Sequence, residues 1–160
     1  MKQLKGKVAA VTGAGSGIGR ALALLLAKEG CDLALSDVNE IGLQETAQQA
    51  RAAGARVQVQ KLDVANRDAV YAWADAAVAE LGKVNLVFNN AGVGLSETVE
   101  DMSYENFEWL MNINFWGVVY GTKAFLPHIK TAGEGAIVNV SSVFGLIAVP
   151  TQSAYNAAKF

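Results

Sequence analysis

Residues 7–30 read KVAAVTGAGSGIGRALALLLAKEG, and how this stretch folds decides the architecture of the whole chain. VAAV is an unbroken apolar run, as expected of a strand buried on both faces. Glycines follow at 13, 15, 17 and 19, and an apolar helical pattern then runs from Ile18 to Gly30. The spacing misses G-x-G-x-x-G, whose third glycine would fall on Ile18 or Arg20, and no Gly-Lys-Ser/Thr follows as in a P-loop. It fits G-x-x-x-G-x-G on Gly13, Gly17 and Gly19. Such glycines permit a tight turn and close backbone approach, and a helix starting near Ile18 aims free N–H groups at a pyrophosphate. Gly13, Ser16, Gly17, Ile18 and Gly19 are the residues assigned to that contact; a glycine-rich turn with no ligand is the alternative.

The same strand-then-helix unit repeats along the chain. Strands are expected at 7–12, 32–36, 56–60, 85–88 and 136–141. Helices are expected at 18–30, 41–54 and 67–82, each closing on a glycine suited to a C-terminal cap, with a fourth helical region from about 103 to 131. Repeated β–α units predict an α/β fold: three layers, with a parallel Rossmann-type sheet covered by helices on both faces. No linker, repeat or low-complexity tract divides residues 1–160, which read as one dinucleotide-binding domain.

Composition narrows the function classes. The chain has 160 residues, 52% of them hydrophobic, and a net charge of −2 with both signs scattered. No basic block suggests a nucleic-acid or membrane surface. The N-terminal lysines and VAAV briefly imitate a signal peptide, but the glycines cut the apolar run short. INFWGVVYGTKAFL, 113–126, is too short to span a bilayer. Cys31 is the single cysteine, read as a small buried residue, and it favours a reducing compartment; the expected location is cytoplasmic. No metal site is expected.

Asp37 ends the second strand, 18 residues after Gly19, where a carboxylate would accept hydrogen bonds from adenosine ribose hydroxyls. A 2′-phosphate there would meet a like charge, at a cost of a few kcal/mol for an effective dielectric of about 20. No arginine or lysine stands at 14, 15, 16 or 38 to offset it, so the sequence favours NAD over NADP. An exposed turn aspartate is the alternative reading.

With TGAGSGIG, NNAG (89–92), NIN (112–114), VSS (140–142) and YNAAK (155–159) in this order, the chain resembles the short-chain dehydrogenase/reductase family, in its single-domain branch. The resemblance implies a sheet ordered 3-2-1-4-5-6-7, of which this chain would supply 3-2-1-4-5 and lack the last two strands. It also implies a nicotinamide cofactor across the carboxyl ends of the strands, with Asp63 and Val64 at the adenine. Asn90, Ala91 and Gly92 would line the adenosine ribose and support the sheet. Asn114, Ser142, Tyr155 and Lys159 match the catalytic four, Tyr155 and Lys159 also contacting the cofactor, while Ser141 is the structural neighbour of Ser142.

The residues themselves support such chemistry. Tyr155 and Lys159 are four apart, so a helix makes them neighbours. A free tyrosine, with pKa about 10, is only about 0.1% ionised at pH 7, so one that moves protons benefits from an adjacent cation. Ser142 would hydrogen-bond the substrate oxygen. The family resemblance implies that Asn114 positions a water feeding Lys159 and that Lys159 holds the nicotinamide ribose; Asn114 as a buried polar residue and Ser142 as a cap are the alternatives. His128 is read as a solvated group near a helix C-terminus, without a catalytic part, and Trp73, Trp109 and Trp116 as packing residues. The family's members run to about 250 residues, so the chain is expected to be truncated, with strand 136–141 left as an uncovered edge. The parent protein is expected to be a homotetramer or homodimer and an NAD-dependent oxidoreductase acting on an alcohol or ketone; the alternative is a nucleotide-binding module without turnover. Val93, Gly94, Phe144 and Leu146 suggest an apolar substrate pocket.

Overall fold

Val8–Thr12 (β1) is buried at every position because the sheet continues on both sides of it and helices cover both faces. The computed structural model describes residues 3–160; Met1 and Lys2, which begin the stretch weighed as a signal peptide, lie outside the described residues. Asp32–Asp37 (β2) and Leu86–Asn89 (β4) flank β1, Val57–Lys61 (β3) lies beyond β2, and Ala136–Asn139 (β5) lies beyond β4. All four pairings are parallel, giving the order β3-β2-β1-β4-β5, as expected. The register sets Thr12 beside Ser36, so β1 and β2 deliver Gly13 and Asp37 to the same edge.

Alternation along β1 divides the core. Ala9 and Val11 face Gly17–Lys28 (α1) and Glu40–Ala52 (α2), through Ala23, Leu26, Leu43 and Ala47. Val8 and Ala10 face Arg67–Leu81 (α3) and Gly117–Thr131 (α5), through Val70, Trp73, Ala77 and Phe125. Trp73 meets Phe125 edge to face at 5.0 Å and donates to Gln58 Oε1 at 3.0 Å, so its polar atom is satisfied in the interior. Burying a large apolar side chain contributes about 1.5–3 kcal/mol. Cys31 is buried just before β2 as expected, and its thiol is pushed up first by burial and then by Asp32 and Glu29.

Gly30, Gly54 and Gly82, predicted as helix stops, have φ of 83°, 96° and 86° beyond α1, α2 and α3. The fourth helical region differs from the expectation. Tyr104–Met111 (α4) is separated from α5 by a π-helical turn over Asn112–Trp116, and α5 carries Pro127 internally. Trp109 and Trp116, expected to pack, are each 44% exposed, because the buried side of this region is taken by Leu110, Asn114 and Phe125. His128 lies in the last turn of α5 and bonds Asp75 of α3 at 3.0 Å, a cross-helix contact that the sequence reading missed. β5 is the sheet edge, with Val138 exposed, and strand pairing stops at Asn139 rather than at 141. Ser153–Lys159 (α6) follows Pro150 and Thr151. No described helix is long and apolar enough to cross a membrane.

Candidate active site

The glycine loop follows β1 because only glycine suits two of its positions. Gly13 has φ 67°, and a Cβ there would stand 2.9 Å from Ala91 Cα; Gly17 turns the chain into α1 with φ 51°. Ala14 N–H bonds Ser36 O at 3.0 Å, which lays the loop across the ends of β1 and β2. Ser16 is the N-cap residue but its hydroxyl bonds no helix N–H, and the first N–H groups of α1 lack intrahelical partners by construction. Asp37 Oδ2 accepts from Gly15 N at 2.7 Å, and Oδ1 from Asn39 N at 2.8 Å. A carboxylate offers about four acceptor positions, so about half its capacity remains.

These groups surround a cavity of about 500 Å³ at the carboxyl ends of the strands. Gly13, Ser16, Gly17, Ile18, Gly19, Asp37, Asp63, Val64, Asn90, Ala91 and Gly92, every residue named from sequence for the dinucleotide except Tyr155 and Lys159, line it. Asn90 and Ala91 are fixed by Thr12, whose Oγ1 accepts both their N–H groups at 2.9 Å, while Asn90 Nδ2 donates to Thr12 O at 2.9 Å. Asp63 Oδ1 accepts from Ala65 N at 2.9 Å in the turn after β3. Val38, Leu62, Val93 and Ile113 complete the lining. Sequence reasoning did not assign them to this cavity, because apolar residues at strand ends carry no mark that separates a cleft wall from a core.

A second cavity, of about 370 Å³, is lined by Ser142, Tyr155 and Lys159 together with Val93, Gly94, Phe144 and Gln152. Ile18, Asn90, Gly92 and Val93 line both cavities, which therefore adjoin. Lys159 Nζ lies 5.8 Å from the Tyr155 ring centre and donates to Val140 O at 2.9 Å. Burial lowers the Lys159 pKa from 10.5. Ser142 Oγ accepts from Phe144 N at 3.2 Å, capping the 3-10 turn Val143–Gly145. Ser141 Oγ donates to Lys159 O at 3.4 Å, a structural tie to α6.

Asn114 does not reach this cavity. It is buried in the π-turn, its Oδ1 accepting from Val93 N and its Nδ2 donating to Val93 O, both at 2.8 Å. Together with Lys159 it borders a smaller space of about 130 Å³ that adjoins that cavity through Val140, Ser141 and Lys159. Of the expected catalytic four, three share one cavity and the fourth braces its wall through Val93. Leu146, expected in the apolar lining, is 80% exposed and outside that cavity, because the chain between β5 and α6 carries it outward; Gln152 was missed.

Comparison with known proteins agrees with this fold. A family model described as short chain dehydrogenase matches residues 7–160. A Mycobacterium tuberculosis protein named SadH and described as an oxidoreductase is 57% identical over 160 residues; the match takes in all of this chain and 58% of that protein. Cyclohexanol dehydrogenase of an Acinetobacter species is 39% identical over 154 residues, covering 96% of this chain and 61% of that enzyme. Among solved structures, a short chain dehydrogenase/reductase from Burkholderia phymatum in complex with NAD superposes with a TM-score of 0.96 at 44% identity, covering 99% of this chain and 57% of that one. The chain thus spans somewhat more than half the length of the proteins it matches.

Proposed function

The chain belongs to the short-chain dehydrogenase family, and on that premise we propose that the whole protein is an NAD-dependent oxidoreductase acting on an alcohol or ketone. The observation that carries the reading is the junction of the two cavities. A dinucleotide laid along the glycine loop toward Gly92 and Val93 would bring its nicotinamide end to Ser142, Tyr155 and Lys159 in the adjoining cavity.

The residues fit the cofactor. Gly13, Ser16, Gly17, Ile18 and Gly19 line the cavity at the start of α1, whose first N–H groups would hold the pyrophosphate. Gly17, with nothing within 4 Å of a would-be Cβ, leaves it an open approach. Asp37 keeps acceptor capacity for the adenosine ribose hydroxyls and repels a 2′-phosphate. Asp63 and Val64 would hold the adenine and Asn90, Ala91 and Gly92 would line the adenosine ribose, and all five line this cavity. Bound NAD supplies the hydride acceptor for oxidation, and its reduced form the donor for reduction.

The remaining work falls to this chain's side chains. Tyr155 takes the substrate hydroxyl proton as a carbonyl forms, and returns it in the opposite direction. Lys159 has three N–H donors; one holds Val140 O, leaving two for the nicotinamide ribose and a proton-carrying water. Because Ser142 Oγ accepts from Phe144 N, its own proton is free to donate to the substrate oxygen. Asn114 acts at one remove, by holding Val93 on the cavity wall. Val93, Gly94 and Phe144 give the substrate end an apolar lining, suiting a hydrophobic alcohol.

Titration of the full-length protein with NAD, followed by NAD reduction with a panel of secondary alcohols and NADH oxidation with the matching ketones, tests the reading. Tyr155→Phe is expected to lower turnover by about 10²–10⁴-fold, with a far smaller change in NAD Kd. Absence of NAD binding refutes the proposal; binding with no turnover of any alcohol or ketone supports a nucleotide-binding module instead.

A further inference from the structure

Arg20, in the first turns of α1, makes a set of contacts that dinucleotide contact does not call for. Its Nη2 donates to Gly15 O at 2.6 Å, to Gly42 O at 3.1 Å and to Glu45 Oε2 at 3.0 Å. Its Nε donates to Thr46 Oγ1 at 3.0 Å, and the Thr46 hydroxyl, fully buried, bonds Ala14 O at 2.8 Å and lies 3.0 Å from Gly42 O. One guanidinium therefore spans the glycine loop and the first two turns of α2. Arg20 does not line the dinucleotide cavity.

The same two elements hold Asp37. Gly15 donates its N–H to one carboxylate oxygen and Asn39 to the other, and Asn39 in turn caps α2 by accepting from Gly42 N at 3.2 Å. The Gly15 residue is thus pinned from both ends, its N–H by Asp37 and its carbonyl by Arg20. A Cβ on Gly15 would stand 2.9 Å from Asp37 Cγ, so loop and carboxylate are packed together with no slack. A charge-assisted hydrogen bond is stronger and more directional than a neutral one, which suits a part that sets a spacing.

We propose that Arg20 is a positioning residue for cofactor discrimination. By fixing the distance between the glycine loop and α2, it holds the Asp37 carboxylate where ribose hydroxyls are accepted and a 2′-phosphate is repelled. The inference rests on the NAD-binding reading above and adds to it a second layer behind Asp37.

The test compares Kd for NAD and for NADP in the unaltered chain, Arg20→Met and Arg20→Lys. In R20M the NAD Kd rises about tenfold, while the NADP Kd changes less, so the preference for NAD shrinks; R20K, which keeps the charge, lies between. A purely structural role would lower the melting temperature and leave the NAD-to-NADP ratio alone. Equal weakening of both dinucleotides means that only a positive charge was lost, and overturns the proposal. Should R20M fail to fold, Glu45→Gln carries the test, with a rise in the NAD-to-NADP Kd ratio of about two- to threefold expected and an unchanged ratio overturning the idea. An unaltered chain that binds neither dinucleotide sinks the NAD reading and this inference with it; normal NAD binding with an unchanged ratio in the variants sinks this inference alone.

Discussion

Replacing Asn114 by alanine separates two roles that one side chain serves. Its amide makes a two-bond pair with the Val93 backbone, each bond 2.8 Å, inside a π-turn where the side chain is 1% exposed. Alanine leaves the N–H and the C=O of Val93 without partners. An orphaned buried group costs about 1–3 kcal/mol; Val93 is only partly buried, so the lower end applies to each. The sum is about 2 kcal/mol, with up to about 1 kcal/mol more for the space vacated. Urea titration of N114A should show that loss as a lower midpoint with the slope kept. Asn114→Asp gives a finer test, since the introduced carboxylate still accepts from Val93 N but faces Val93 O with no proton. Its folded pKa is raised above the unfolded value of about 3.9. The folded state therefore binds the proton more tightly, and the N114D deficit relative to the unaltered chain grows as pH rises through that window. For N114A the deficit stays flat. Loss of less than about 0.5 kcal/mol in N114A, or an N114D deficit that ignores pH, refutes the bracing role and leaves Asn114 to any direct part in proton transfer.

Three other outcomes follow from the same structure. Lys159 has its pKa lowered by burial, so between its folded value and 10.5 the unfolded chain binds more protons and stability rises with pH. Lys159→Met removes this term, and its stability advantage over the unaltered chain, read by thermal melts across pH, is greatest near neutrality and shrinks as pH approaches 10.5. Gly13→Ala places a Cβ 2.9 Å from the Ala91 backbone at φ 67°, and denaturant titration should register a loss of about 2 kcal/mol together with weakened NAD binding. Gln58→Leu deprives the buried Trp73 indole N–H of its acceptor at 3.0 Å, and a loss of about 1–3 kcal/mol in the same titration is the expected result, with an unchanged midpoint the contrary one.

Sequence reading reached most of the fold because the parallel sheet is written in residue type. VAAV, LAL and LVF announce strands covered on both faces, and Gly30, Gly54 and Gly82 announce helix stops that only positive φ explains. The cleft at the strand ends was legible for a similar reason: Gly13 and Gly17 are required by backbone geometry, and Asp37 stands at a strand end. Where the physics depends on a partner far along the chain, the sequence was silent. Nothing in NINFW distinguishes a π-turn from α-helix, because an i+5 bond leaves no compositional trace. Trp109 and Trp116 look like core residues by type, yet Leu110 and Asn114 occupy the buried side of their turns.

Asn114, Lys159 and Arg20 share a property that accounts for this divide. Each binds a main-chain carbonyl, Val93 O, Val140 O and Gly15 O, and only Arg20 adds side-chain partners, Glu45 and Thr46. A carbonyl is present at every position, so the recipient cannot be read from residue type. Only the fold, by carrying one strand end past another, selects which carbonyl is met. The glycines pull the same two ways. Gly92 must stay small beside Asn114 Oδ1, at 3.2 Å from a would-be Cβ, and Gly15 beside Asp37. The residues whose chemistry is legible, Ser142, Tyr155 and Asp37, are therefore held in place by contacts that are not, and variants of the holding residues should shift affinity and discrimination before they abolish the fold.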